Sequence, residues 1–232
     1  MKRQLSGFTL IEVSIVLVIL GLLLGGVLKG QELITNARLK NLAMDFRNVS
    51  RIVHAYQDKY RAIPGDDAGA VLHLGTGSTV VSGALSAVGN GVLDGNWWDE
   101  AGLLQTSETV AFWEHVRRAN LVQGPLPIAN DVDLPSNADG GRIGIESGAP
   151  ASAYIAGMSG NFVVCSANIL GKYAKHLDAT MDDGNPFTGA VRATQGAPKS
   201  RLNNASCAVA GTPSHCPSVV DDGSTYTVCM AF

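Results

Sequence analysis

An almost uncharged stretch near the N-terminus limits what this chain of 232 residues can fold into. Residues 8–28 read FTLIEVSIVLVILGLLLGGVL, in which fifteen of 21 side chains are large and apolar and Glu12 is the only charged one. As a helix the stretch is roughly 30 Å long, which is enough to cross the hydrocarbon core of a bilayer. Lys2 and Arg3 precede it, so we expect the N-terminus to stay cytoplasmic and the rest to lie outside.

Three kinds of membrane segment compete for this stretch. A secretory signal peptide would need a small-residue cleavage site, and the run ends in GGVLKGQEL with no such pattern. A plain membrane anchor explains the length and the orientation but leaves Glu12 unexplained, because a charge at membrane depth costs about 2.5–3.5 kcal/mol. Glu12 therefore either lies at the membrane interface or has a partner.

The third interpretation supplies that partner. MKRQLSG followed by FTLIE resembles the leader and helix start of type IV pilins and type II secretion pseudopilins. The resemblance implies that a membrane-embedded prepilin peptidase cuts between Gly7 and Phe8 and methylates the new amine of Phe8. Glu12 would neutralise such an amine, in its own or a neighbouring subunit. Since a buried ion pair offsets its desolvation only with good geometry, we expect Glu12 to set subunit register rather than to add stability.

Small residues recur in the same stretch. Gly21-x-x-x-Gly25 and Gly26-x-x-x-Gly30 have the spacing that lets apolar helices approach closely, which suits a filament core. Members of the pilin family often carry a proline further along this helix, and here no proline precedes Pro64. Gly25 and Gly26 are then the expected site of any local melting, because each costs a helix roughly 1 kcal/mol relative to alanine.

The next segment, residues 29–61, is basic and amphipathic. Seven bases and three acids give it a net charge of +4. Ile63-Pro64-Gly65-Asp66 should end the helix, so we predict one helix from about Phe8 to Tyr60. His54 falls on or beside the apolar stripe, which favours a packing role. The stripe recurs at intervals of three and four, as on one helix face: Leu42, Phe46, Val49, Val53, Tyr56 and Tyr60.

Residues 62–232 are predicted to form an acidic globular head. Eight bases and sixteen acids give it a net charge of −8, and it holds all nine prolines. We expect a loop or irregular strand over 68–91, a turn over 90–100, a helix from Ser107 to Gln123 and a short helix over 168–177. The predicted β-prone runs are Arg142–Ile145, Tyr154–Ile155, Phe162–Cys165 and Tyr226–Cys229.

These elements predict an α+β, pilin-like fold in which a long helix packs on a head with an antiparallel sheet, as the resemblance also implies. The predicted organisation is a cleaved leader at 1–7, a transmembrane or filament-core half at 8–28, an amphipathic half at 29–61 and the head at 62–232. IPGDDAGA at 63–70 and DDGNPFTGAVRA at 182–193 look like segments of large pilin-like proteins, although far less specifically.

Four cysteines lie in the last third of the chain, where an extracytoplasmic location permits disulfides. Of the three possible pairings we favour a local loop, Cys207–Cys216, and a tie between strands, Cys165–Cys229. Pilins often close a C-terminal loop by a disulfide, which supports pairing in general. A zinc site is disfavoured because no C-x-x-C motif is present.

No catalytic motif is recognisable: H-E-x-x-H, G-x-S-x-G and a Walker loop are all missing from the sequence. We therefore predict no enzyme, no catalytic residues and no cofactor. Two oxygen-rich turns are weak candidates for calcium, although such turns are common without an ion. Their candidate ligands are Asp182, Asp183, Asn185, Asp94 and Asp99.

The resemblance implies a structural subunit of a type IV pilus-like filament. It would wait in the inner membrane with a cytoplasmic N-terminus and then enter a periplasmic or extracellular filament. The implied partners are prepilin peptidase, other pilins, an inner-membrane assembly platform and lipid, while the charge gives no case for nucleic acid. The alternatives are a type II secretion pseudopilin and a membrane-anchored periplasmic binding module or enzyme.

Overall fold

The computed structural model describes residues 7, 9–82, 87–148, 154–155, 158, 160–195 and 220–232. The chain divides into two compact units, residues 1–40 and residues 41–232. The architecture is α+β and pilin-like, with a long N-terminal apolar helix followed by a globular part that contains a four-stranded antiparallel sheet. This confirms the predicted fold class.

Helix α1 covers Leu10–Tyr60 and is the longest element of the chain. Its end agrees with the prediction, because Arg61 adopts a left-handed φ of 56° and Pro64 follows. The predicted stripe is buried from Leu42 to Tyr56, whereas Tyr60 is half-buried. His54 lies beside the stripe and is exposed, with its ring 6.3 Å from that of Phe232.

The sheet holds four strands in the order β1-β2-β4-β3, and every neighbouring pair is antiparallel. The strands are β1 Ile143–Ser147, β2 Phe162–Leu170, β3 Val191–Gln195 and β4 Thr225–Ala231. The predictions for β1, β2 and β4 located the right segments. The strand predicted at Tyr154–Ile155 is wrong, because these residues form a bend whose side chains enter the core.

The described residues of the second unit form three further helices: α2 Ala70–Leu74, α3 Glu108–Arg118 and α4 Gly171–Met181. The loop predicted over 68–91 therefore contains a short helix. The helix predicted to reach Gln123 ends five residues earlier, because Asn120 adopts a left-handed φ of 58°. Short 3₁₀ turns occupy Ala101–Leu103 and Asp131–Asp133.

The core of the second unit centres on Trp97, a member of the turn predicted over 90–100. Its ring lies edge-on to those of Trp98 and Tyr154, at 6.0 and 5.5 Å between centroids. A Cβ at Gly144 of β1 would lie 2.1 Å from the carbonyl oxygen of Trp97, so only glycine allows this approach. The cluster contains Trp97, Tyr154, Ile155, Met158, Val163, Cys165, Ala167, Cys229 and Ala231.

A disulfide joins Cys165 of β2 to Cys229 of β4, which face each other directly in the antiparallel register. Both cysteines are fully buried in the Trp97 cluster. The bond therefore ties the two central strands of the sheet. Cys207 and Cys216 lie outside the described residues, so their pairing stays a prediction.

Candidate functional site

The start of helix α1 is organised by a reciprocal pair of residues, Thr9 and Glu12. The helix begins at Leu10, which makes Thr9 its N-cap and Glu12 the third helical residue. The Thr9 hydroxyl accepts the backbone N–H of Glu12 at 3.3 Å, and the Glu12 carboxylate accepts the Thr9 backbone N–H and hydroxyl at 3.3 Å each. This capping box satisfies N–H groups that a helix start otherwise leaves open.

The capping box gives the single acid of the apolar stretch a local role. Its carboxylate lies at the positive end of the helix dipole, where negative charge is stabilised. Gly7 lies outside the helix, ahead of the cap, whereas Phe8 is outside the described residues. Glu12 itself is exposed, and within the described part of the chain only its Oε2 is used by the capping box.

Beyond the cap, helix α1 presents an apolar surface on every side. Fourteen large apolar side chains between Leu10 and Leu28 are 48–92% exposed. By length and composition α1 can cross a membrane. Water-exposed apolar surface of this extent is unfavourable, at about 25 cal/mol per Å², so it is expected to be covered by lipid or by other helices.

Packing within the described part of the chain does not explain why this segment carries glycines. A Cβ added at Gly21, Gly25, Gly26 or Gly30 would meet no described atom within 4 Å. All four lie in unbroken helix, where glycine is unfavourable relative to alanine. Their benefit, if any, comes from contacts with other molecules.

A second constellation lies in the head at the IPGDD segment that follows α1. Asp66 accepts the backbone N–H groups of Gly89, Asn90 and Gly91. Asp67 accepts the Tyr56 hydroxyl at 2.7 Å and hydrogen bonds to His73 Nδ1 at 2.7 Å. Asp66 and Asp67 are both buried. The segment therefore fastens the end of α1 to the loop before residue 93, which is a structural role.

His115 of α3 completes this constellation and is fully buried. Its Nδ1 accepts the backbone N–H of Gly65 at 2.9 Å, and its Nε2–H donates to the Thr79 carbonyl at 2.6 Å. These partners require the neutral ring, since a second ring proton would face the Gly65 N–H. Burial lowers the pKa of His115, while the Thr79 carbonyl, Glu114 and Asp67 oppose the shift and Arg118 adds to it.

The lowered pKa of His115 predicts an acid-sensitive head. The stabilising contribution is fully present above the unfolded pKa of about 6.5 and is lost as pH falls through the lower folded value. We expect the apparent melting temperature to fall with pH below about 6.5, and to fall less in His115→Gln. His176 is exposed on α4, so His176→Gln is the control and should keep the wild-type profile. An unchanged pH profile in His115→Gln would contradict this assignment.

A third constellation is an acidic cluster where α4 meets the loop to β3. Ligand-type oxygens of Asp178, Asp182 and Asp183 all lie within 4.8 Å of one another. Asp178 is 1% exposed, and both its carboxylate oxygens are buried with no hydrogen-bond partner among the described residues. Burial raises the pKa of Asp178 to about 6, with Asp183 and Asp182 adding to the shift and the nearby Gly184 N–H opposing it.

The other calcium candidates are engaged in ordinary turns. Asp99 accepts the Ser107 hydroxyl at 2.7 Å and the Asn96 backbone N–H at 2.9 Å, and Asp94 accepts the Asn90 amide at 3.2 Å. In the described part of the chain, neither acid joins a group of three possible metal ligands. Asn185 follows the acidic cluster and donates its backbone N–H to Asp183 at 2.8 Å.

Sequence reasoning missed several of these residues. Thr9 stands three residues before Glu12, a spacing that signals a capping box. Asp178 was missed because it lies inside a helix rather than in the oxygen-rich turn. Its position directly after Leu177, on the apolar face of α4, is the signal that could have found it.

Comparison with known proteins identifies a recognised sequence motif at the N-terminus. Residues 2–28 match the model of the prokaryotic N-terminal methylation motif, the signature of type IV pilin and pseudopilin precursors. The motif supports a pilin-like or pseudopilin substrate of prepilin peptidase, and the proteins that carry it are structural. No curated protein and no solved structure is significantly similar to the chain.

Proposed function

We propose that this chain is a structural subunit of a type IV pilus-like filament. Prepilin peptidase would cleave and N-methylate it, and it would then be assembled from the inner membrane. The observation that carries the proposal is the methylation motif at 2–28, whose single acid, Glu12, caps a helix that is otherwise apolar and exposed up to residue 28. The apolar surface of such a helix would be covered by membrane lipid before assembly and by the helices of other subunits in the filament.

The proposed organisation follows from the position of the motif. Residues 1–7 are the leader, with cleavage after Gly7 and methylation at Phe8. Residues 8–28 form the transmembrane and later filament-core half, residues 29–61 the amphipathic half and residues 62–232 the head. Before assembly the N-terminus is cytoplasmic, because Lys2 and Arg3 precede the span. The head then lies in the periplasm, and in the filament it is periplasmic or extracellular.

The proposed partners are other pilins, prepilin peptidase, the inner-membrane assembly platform and lipid. Gly21, Gly25 and Gly26 support close packing with other pilins, because a Cβ there meets nothing within the described chain. Glu12 would receive the methylated amine of a neighbouring Phe8. Filament formation then exchanges lipid contacts for contacts between helices, in a register set by this pair.

Two alternatives share part of this evidence. A pseudopilin of a type II secretion system would carry the same N-terminal motif, and secretion genes beside the coding sequence would favour it. A membrane-anchored periplasmic binding module or enzyme explains the apolar helix equally well. It leaves the Gly7–Phe8 junction of the methylation motif unexplained.

Processing gives the first test. Mass spectrometry of the protein from a host with prepilin peptidase should show loss of residues 1–7 and one added methyl group on Phe8. Gly7→Val should retain the leader, because a branched side chain replaces the glycine at the cleaved bond. Gly21→Ala changes a glycine away from the junction and should be processed normally. Retention of Met1 in the wild-type protein would overturn the pilin proposal.

A further inference from the structure

Leu103, Leu126 and Val132 are large apolar side chains of the head that are exposed. Val132 is 88% exposed, and the other two are 44% and 41% exposed. Leu103 and Val132 each lie in a 3₁₀ turn, and Asp131 Oδ1 joins the two turns by accepting the Ala101 backbone N–H at 2.7 Å. Grouped apolar residues on a surface are typical of interaction sites, whereas single ones are ordinary. We call these three residues the apolar patch.

Arg117 of α3 holds Leu126 near Val132. This arginine is 6% exposed, and its Nη1 and Nη2 donate to the Pro125 carbonyl at 3.0 Å and to the Asp133 carbonyl at 2.5 Å. Pro125 and Asp133 are the direct chain neighbours of Leu126 and Val132. Hydrogen bonds from a charged donor are stronger than those from a neutral one, so the patch is held in a defined geometry.

The apolar patch is accompanied by acids. Glu100 and Asp131 are exposed and Asp133 is half-buried. Two backbone N–H groups of the preceding loop lower the pKa of Asp133, so its carboxylate is ionised at neutral pH. Arg117 acts electrostatically on Asp133, and Arg142 acts on Asp131 and Glu100, but both guanidinium groups donate to backbone carbonyls. We call Glu100, Asp131 and Asp133 the acidic rim.

Helix α1 carries a surface of complementary character. Met44, Arg47 and Arg51 follow one another at intervals of three and four, which places them on one helix face, opposite the buried stripe. Met44 is 48% exposed and both arginines are exposed. In the described part of the chain neither arginine has a hydrogen bond or an ion pair. We call these three residues the arginine face; its guanidinium groups suit carboxylates and its methionine suits an apolar contact.

We propose that the apolar patch and acidic rim of one head dock on the arginine face of α1 in a second copy of this chain. A second copy is favoured because one chain carries both complementary surfaces. Since two different surfaces meet, the contact is heterologous and leaves one of each free for the next copy, so it propagates into an open assembly. The inference rests on the proposed filament, because it names the surfaces through which neighbouring subunits meet.

Photo-crosslinking in intact filaments tests the contact. Benzoylphenylalanine in place of Val132 should give a covalent dimer on irradiation, with the crosslink within residues 44–51 of the second copy by mass spectrometry. Leu72 of α2 is 87% exposed, so the same replacement there is the matched control and should give no crosslink to 44–51. A crosslink from position 132 to another region, to a different protein or to nothing overturns the docking surfaces. Absence of filaments from the wild-type protein overturns the proposed function instead.

Charge reversal tests the same contact without a bulky residue. Arg47→Glu makes the contact repulsive and should lower the yield of sheared filaments about tenfold, with the amount in the membrane unchanged. Glu100→Lys should do the same from the other side, and both changes in one chain should restore the yield to within about threefold of wild type. Lys172→Glu reverses an exposed charge on α4 and should assemble normally. An additive loss in the double variant would refute the pairing of the two surfaces.

Discussion

Replacement of Glu12 by valine is expected to abolish filament assembly while leaving membrane insertion intact. Valine is apolar and raises no barrier to insertion, but it removes the only acid from residues 8–28. The methylated amine of a neighbouring subunit would then be buried without a counter-charge. Loss of one partner of a buried pair costs about 3–5 kcal/mol, which is more than a hundredfold in each subunit contact.

Two further variants separate the charge of Glu12 from its capping of the helix. Glu12→Gln keeps an acceptor for the Thr9 N–H but has no charge, whereas Thr9→Val loses the capping hydroxyl and keeps the charge. If the charge sets the register, Glu12→Gln fails to assemble and Thr9→Val still assembles. Glu32→Gln, further along α1, is the control and should assemble normally. Filaments sheared from cells and quantified by immunoblot give the yield, and normal yield from Glu12→Val would remove the registry role.

Loss of the Cys165–Cys229 disulfide is expected to destabilise the head by about 4 kcal/mol. The bond closes a loop with a sequence separation of 64, and the loop-entropy relation gives about this value for such a length. The double variant Cys165→Ala/Cys229→Ala suits the test because both side chains are fully buried, where serine would bring an unsatisfied hydroxyl. Denaturant unfolding of the full-length protein in detergent measures the difference.

The second pair of cysteines provides the matched control. Cys207→Ala/Cys216→Ala would open a loop of about ten residues, for which the same relation gives roughly 2.7 kcal/mol. A larger loss from this pair than from Cys165/Cys229 would contradict the loop-length argument. Free thiols at Cys207 and Cys216 in the oxidised wild-type protein would instead show that the predicted Cys207–Cys216 bond is wrong.

The long helix was predictable because its signals are local and agree with one another. The spacing of the apolar residues from Leu42 to Tyr56 predicted which face of α1 is buried. Pro64 predicted the end of α1 to within a few residues. The methylation motif was equally readable, since its basic leader, Gly7–Phe8 junction and single acid are contiguous in sequence. These features need no knowledge of tertiary contacts.

Elements that depend on distant partners were harder to predict. Strand β3 was missed because VRATQ has no aromatic residue and only two branched residues, Val191 and Thr194. Its pairing with β4 comes from a segment about 35 residues later. The end of α3 was placed too far along because Asn120, rather than Gly124, terminates it. The network of Asp66, Asp67 and His115 joins residues up to 50 positions apart, so a local pattern does not reveal it.

The capped start of α1 also affects the backbone conformation that this chain presents to a protease. Peptide bonds inside a helix are committed to i→i+4 hydrogen bonding and present a curved backbone, whereas proteases bind substrates in extended form. Among the described residues, the first carbonyl that takes part in the hydrogen bonding of α1 is that of Thr9, which accepts the N–H of Val13 at 3.3 Å. Gly7 lies upstream of that point, outside the helix. Under the proposed cleavage after Gly7, the Thr9–Glu12 pair starts the helix downstream of the bond that would be cut, so cleavage would require no unwinding of the membrane segment.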